Sequence, residues 1–202
     1  MSYQVPVYTQ AILPPGGCQL YDQPPVYQPI EESNEIRLKR ICAKYEISQT
    51  FQNKLKQLEG CEIVLLWDNS GSMLNSVQSD NPKIKTRWDE SCHTAEVLVD
   101  LATIYDPTGI DLYFLNEKPG EQPHRNLKSP DEVRKLFNRQ PDGYTPTCRV
   151  LRQIFEDKKH IIKERKLIVI IGTDGLPTND QGDSDIQSLE EILRYERPMK
   201  DL

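Results

Sequence analysis

Asp68, Ser70 and Ser72 stand at alternate positions in the stretch IVLLWDNSGSM, residues 63–73. One carboxylate and two hydroxyls within five residues either decorate a turn or share a task. A second aspartate, Asp174, closes another apolar run in KLIVIIGTDG. Hydroxyl and carboxylate oxygens together suit a hard divalent cation, which binds oxygen rather than nitrogen or sulfur. The local alternatives are structural. Asp-Asn-Ser-Gly-Ser favours turns of any kind, and Asp174 can simply cap the turn at Gly175. The choice depends on whether the chain can bring the two segments together.

The elements that must do so are legible from periodicity. Ile36, Ile41, Ala43 and Tyr45 suggest a first helical piece. Ile47, Phe51, Leu55 and Leu58 follow helical spacing, with Ser48 as a cap and Gly60 as a stop. A strand over Glu62–Trp67 comes next, then a polar loop from Ser76 to Lys85. A long helix is predicted from about Trp88 to Tyr105, apolar on a broad face and ended by Pro107 and Gly109. IDLYFLN, from Ile110 to Asn116, reads as a strand. A weak strand follows near His124–Leu127, and a short helix after Ser129-Pro130. Thr145-Pro146 opens another helix, with proline at its first position, carried through Val150, Leu151, Ile154 and Phe155 to Ile162. KLIVIIGTDG reads as a buried strand, and Ile186, Leu189, Ile192 and Leu193 as a last helix.

Strands alternating with helices predict an α/β fold, a doubly wound and mostly parallel sheet covered on both faces. In such sheets sites form beyond the carboxyl ends of the strands. If the strands ending at Asp68 and Asp174 are neighbours, both aspartates share one rim.

Asp68-Asn69-Ser70-Gly71-Ser72 resembles the D-x-S-x-S motif of von Willebrand factor A (VWA) domains. Thr145 in DGYTPT looks like that family's second-loop threonine, and Asp174 in IIGTDGLPTND like its third-loop aspartate. The resemblance spans residues 61–197. It implies a Rossmann-like VWA fold with a metal-ion-dependent adhesion site of Asp68, Ser70, Ser72, Thr145 and Asp174, taking Mg²⁺ or Mn²⁺. The hydroxyls of Ser70, Ser72 and Thr145 can bind such an ion without cancelling its charge. The two carboxylates, reached partly through water or hydrogen bonds, hold the hydroxyls and waters in place. The ion keeps positive character and an exchangeable position, which an Asp or Glu of a partner protein can fill. Gly71 is expected to permit the tight backbone between the serines. Thr147 is the alternative ligand should Thr145 serve only as a helix N-cap.

Two residues depart from the family pattern. Trp67 precedes the aspartate where a small or aliphatic residue would pack more easily, and Tyr144 stands where glycine is frequent. The family sheet also continues with two more strands and a helix, so this sequence reads as one missing the last strands, with the strand before Asp174 at an exposed edge. The acidic run Asp180, Asp183 and Asp185 lacks calcium-loop spacing and reads as solvated.

The N-terminal segment is of another kind. Residues 1–30 hold six of the chain's 15 prolines and four of its nine tyrosines, and QVPVY returns as QPPVY. The reading is a disordered Pro/Tyr-rich tail over 1–32, a helical lead-in over 33–60 and a VWA-like domain over 61–202. Pro24-Pro25-Val26-Tyr27 is a P-P-x-Y sequence resembling ligands of WW domains. A preformed polyproline II segment loses little entropy on docking, and Tyr27 would fill a pocket.

Composition narrows the classes. The chain has 202 residues and a formal net charge of -6, so nucleic acid is not an expected partner, because phosphate binding needs a basic face. Its longest clean apolar run, Leu167–Ile171, is far too short to span a bilayer. No secretory signal is visible, and five widely spaced cysteines with no C-x-x-C read as reduced thiols, so a cytoplasmic location is expected. Cys92-His93 and Cys148 with His160 do not make a nucleophile–base pair, and no P-loop or G-x-G-x-x-G is present. The expectation is a binding module rather than an enzyme. The alternatives are a scaffold that recruits WW-domain proteins without using metal, and a metal-dependent hydrolase.

Overall fold

A computed structural model describes residues 32–118, 121 and 123–198. Pro24, Pro25 and Tyr27 lie outside the described residues. Two short helices open the folded part, α1 (Asn34–Lys44) and α2 (Gln49–Leu55). Their N-caps are Ser33 and Ser48, whose hydroxyls accept from the backbone N–H of Ile36 and Phe51. Then follow β1 (Glu62–Trp67), α3 (Arg87–Tyr105), β2 (Ile110–Phe114), β3 (His124–Leu127), α4 (Pro130–Leu136), α5 (Thr147–Lys158), β4 (Leu167–Gly172) and α6 (Ile186–Glu191). α6 runs on into a π-helical turn over Ile192–Glu196.

The four strands form one sheet in the order β3-β2-β1-β4. β1 pairs in parallel with both β2 and β4, while β3 is antiparallel to β2. Side chains of β1 alternate between the two faces. Ile63, Leu65 and Trp67 pack with Ala95, Val99 and Ala102 of α3 and Val133 of α4. Val64 and Leu66 pack with Val150, Leu151 and Ile154 of α5 and Ile192. Both faces of β1 are therefore covered, which explains why its six residues read as an unbroken apolar run after Glu62. α1 adds a third cluster, Ile41 against Leu101, Ile104 and Tyr105 of α3.

Two sequence expectations need correction. β4 was read as a buried strand, yet, as its expected place at an exposed edge requires, its residues are half-buried and Ile171 is 39% exposed. The cause is its place at the end of the sheet. Backbone N–H groups of Glu62 and Asp68 donate to the carbonyls of Lys166 and Gly172, so alternate peptide groups of β4 face β1. Those of Leu167, Val169 and Ile171 face outward, where no strand stands among the described residues. The second correction concerns α5. It starts at Thr147 with Pro146 as N-cap, and it ends at Lys158, short of Ile162.

The rim opposite the carboxyl ends holds a buried ionic network. The Lys158 ammonium, 3% exposed, donates to Glu62 Oε1 at 2.5 Å and to Asp111 Oδ2 at 2.7 Å. Arg165 pairs with Glu62 and Asp106 at 2.9 Å each, and Arg125 with Asp111 at 2.7 Å. Every buried carboxylate there has a cation. This makes the other rim, where one has none, a point of contrast.

Candidate functional site

The carboxyl ends of β1 and β4 lie side by side, since Trp67 is in register with Gly172. From β1 the chain turns toward α3 on one face, and from β4 toward α6 on the other. The loops therefore diverge and leave a crevice between them, the place where open α/β sheets bind ligands. Asp68 and Asp174 both stand at this crevice.

Three loops are tied pairwise around it. The first, Asp68–Ser72, meets the third directly. The Ser72 hydroxyl donates to Asp174 Oδ1 at 2.8 Å, and the Thr173 hydroxyl donates to Asp68 Oδ2 at 2.7 Å. The first meets the second through backbone bonds, Gly71 N–H to the Gly143 carbonyl at 3.1 Å and Asp142 N–H to the Asn69 carbonyl at 2.9 Å. The second meets the third at Thr145, whose N–H donates to the Thr178 hydroxyl oxygen and whose carbonyl accepts from Thr178 N–H, both at 2.9 Å. All five sequence-predicted residues thus belong to one cluster of interlocked loops.

Within the cluster three oxygens are in hydrogen-bond contact. Ser70 Oγ and Ser72 Oγ are 3.1 Å apart, and Ser72 Oγ is 2.8 Å from Asp174 Oδ1. The donor set, hydroxyl and carboxylate oxygens, fits a hard ion such as Mg²⁺ in type. Asp68 is fully buried, and its Oδ1 accepts from the Ser70 N–H at 2.8 Å. Among the described residues no Lys, Arg or His pairs with it. Ser70 is 2% exposed, whereas Ser72 is exposed, so the cluster has a closed wall and an open side.

Thr145 does not cap α5, because that position belongs to Pro146 and carries no side-chain cap bond. Its hydroxyl has no hydrogen-bond partner among the described residues. The Thr147 hydroxyl instead donates to the Thr145 carbonyl at 3.4 Å. Of the two candidate threonines, Thr145 has the free oxygen.

Trp67 and Tyr144, two bulky residues flanking the first and second loops, are accommodated by glycines. Trp67 is 3% exposed and fits because Gly172 stands opposite it. A Cβ at Gly172 would meet the indole at 2.8 Å. The Trp67 indole N–H donates to the Ser91 hydroxyl. Tyr144 is 54% exposed, and its ring lies against Gly182. Gly143, with φ +89°, turns the second loop so that the Asn116 side-chain amide donates to the Tyr144 carbonyl at 2.7 Å. Gly71 is not under the constraint expected of it. It lacks a positive φ, and an added Cβ would meet only the Gly143 carbonyl, at 3.9 Å.

Four residues at the site were not singled out from sequence. Asn69 is buried and clamps the first loop to the end of β2, accepting from Asn116 N–H at 2.8 Å and donating to the Asn116 carbonyl at 3.0 Å. Asn116 in turn reaches the second loop. Thr173 anchors Asp68. The fourth is Arg87, at the first position of α3, whose guanidinium donates to Asp174 Oδ2. Thr173 and Asn69 had a signal, since Thr173 stands directly between β4 and Asp174, and Asn69 between Asp68 and Ser70. Arg87 had none.

Burial, joined by Glu96, pushes the Cys92 thiol up to about 12, and burial with the nearby Asp185 carboxylate does the same for Cys148. Both stay protonated at neutral pH, unlike a catalytic thiolate. Asp180 in the acidic run forms a surface pair with Arg149 at 3.0 Å. No helix among the described residues is long and apolar enough to cross a membrane.

Comparison of the chain with protein-family models, with curated proteins and with solved structures finds no match.

Proposed function

We propose that this chain is a protein-binding module of the VWA type, with a Rossmann-like sheet whose crevice takes Mg²⁺ or Mn²⁺ and grips an acidic side chain of a partner. The observation that carries this reading is Asp68, a fully buried carboxylate with no cationic partner among the described residues. Buried charges are paired or bind metal, because an isolated one is costly to desolvate. At the opposite rim the same chain pairs each of its buried carboxylates with Lys or Arg.

Ser70, Ser72 and Thr145 would hold the ion directly. Asp68 fixes the Ser70 backbone, and Asp174 orients the Ser72 hydroxyl by accepting its proton. The bound dication supplies positive charge toward an anionic donor. The exposure of Ser72 leaves one side open, and a carboxylate from a partner protein can arrive there.

Calorimetry with Mg²⁺ and Mn²⁺ on the wild type and on Asp68→Ala tests the reading. Saturable metal binding by the wild type that Asp68→Ala loses is expected. No binding by the wild type, or equal binding by both, would refute it.

A second reading rests on the sequence Pro24-Pro25-Val26-Tyr27, which fits the aromatic grooves of WW domains. Tyr27→Ala is expected to abolish capture of the chain by an isolated WW domain, and unchanged capture would dismiss this reading.

A further inference from the structure

The Asp174 carboxylate is already shared between two protein donors. Its Oδ1 accepts from the Ser72 hydroxyl at 2.8 Å, and its Oδ2 accepts from the Arg87 guanidinium. Arg87 enters the crevice from the start of α3, where the backbone is held rigidly. Thr86 and Asp89 form a reciprocal capping box, and Arg87 N–H donates to the Asn75 carbonyl at 3.0 Å. The side chain itself is 41% exposed, while that of Asp174 is 10% exposed. A cation therefore reaches Asp174 from a fixed backbone anchor along a long, partly exposed side chain.

We infer that Arg87 is an internal cation that competes with the divalent ion for Asp174 and so weakens metal binding. This rests on the metal-binding reading above and adds a regulator to the same site. The two carboxylates carry two negative charges, and Arg87 offsets one of them before any ion arrives. A dication entering between the serines meets this guanidinium charge one carboxylate away, close enough for the two cations to repel. A purely positioning role is a poorer account, because the Ser72 hydroxyl already fixes Asp174 from the metal side. Displacement also has a destination. Glu90 lies three residues along α3 from Arg87, lines the same cleft of about 520 Å³, and forms no ion pair among the described residues. Occupancy of the site then becomes a choice between two cations, one built into the chain.

The test is calorimetric titration of Mg²⁺ and Mn²⁺ into the full chain as wild type, Arg87→Gln and Arg87→Lys. Arg87→Gln is expected to bind both ions more tightly, on the order of tenfold, because one competing positive charge is gone. Arg87→Lys keeps the charge and is expected to stay within about threefold of the wild type. The capping box does not involve the Arg87 side chain, so both variants should fold with α3 intact, Arg87→Gln melting slightly below the wild type in chelator because Asp174 loses its partner. Equal or weaker binding by Arg87→Gln, beside clear binding by the wild type, overturns the competition and leaves the metal site standing. Tightening by Arg87→Lys as large as that by Arg87→Gln also overturns it. Absence of binding in all three proteins overturns the metal site and, with it, this role for Arg87.

Discussion

Asp68→Asn should reverse the stability order of wild type and variant, depending on whether a divalent ion is present. In chelator the wild type buries a carboxylate that receives one hydrogen bond on each oxygen and no cation. The amide keeps the shape. Its oxygen still accepts from the Ser70 N–H, and its NH₂ can donate to the Thr173 hydroxyl once that group rotates. Removing an unpaired buried charge while keeping the packing should be neutral or stabilising, by up to about 2 kcal/mol. For a chain of this size about 1 kcal/mol moves the midpoint by 2–4 °C, so the variant should melt at or several degrees above the wild type. With free Mg²⁺ at a hundred times its Kd, the wild type gains about 2.7 kcal/mol by linkage. That corresponds to roughly 5–11 °C, and the variant should gain nothing. The assay is a pair of thermal unfolding series, in EDTA and at rising Mg²⁺. A variant clearly less stable than the wild type in EDTA, or one that gains as much from Mg²⁺, would refute the claim that Asp68 waits for a cation.

Other outcomes follow from the packing and the charges. Gly172→Ala would set a Cβ 2.8 Å from the Trp67 ring and should cost about 1–3 kcal/mol; the cost should largely vanish in a Trp67→Leu background, as a double-mutant cycle in urea would measure. Lys158→Met strips the shared cation from Glu62 and Asp111; a loss of about 3–5 kcal/mol is expected, visible as a fall of on the order of 10 °C in midpoint. Glu117 is held down to about 2, where burial alone would raise it, by the Arg139 guanidinium, which donates to its Oε2 at 3.0 Å, and by the His124 ring beside it. Its folded value lies below the ordinary 4.5, so its stabilisation is complete above that pH and is lost as pH falls toward about 2. Glu117→Gln should therefore lower the midpoint at pH 7 yet flatten its decline between about pH 5 and 2, as melts across that range would record.

The local grammar of the chain was open to reading because it acts over three or four residues. The serines at 33, 48 and 129 cap the helices they precede, each accepting from a backbone N–H three residues on. The apolar runs of β1 and β4 end where polar residues begin, and this alone put Asp68 and Asp174 at strand ends. The start of α5 was misjudged by one local detail, since Pro146 takes the N-cap and leaves the Thr145 hydroxyl free.

What the sequence by itself determined is therefore the set of strands and helices, their order, and the oxygen-bearing residues at two strand ends and one helix start. Periodicity, caps and turns fix these through neighbours along the chain. Only the tertiary structure decided that β1 and β4 are adjacent and that three loops interlock around Ser70 and Ser72. It alone brought Arg87 to Asp174, Asn69 to Asn116 and Trp67 over Gly172. These contacts join residues tens of positions apart, and no local preference encodes them. They follow from the order in which the strands pair and from the faces to which the crossovers turn.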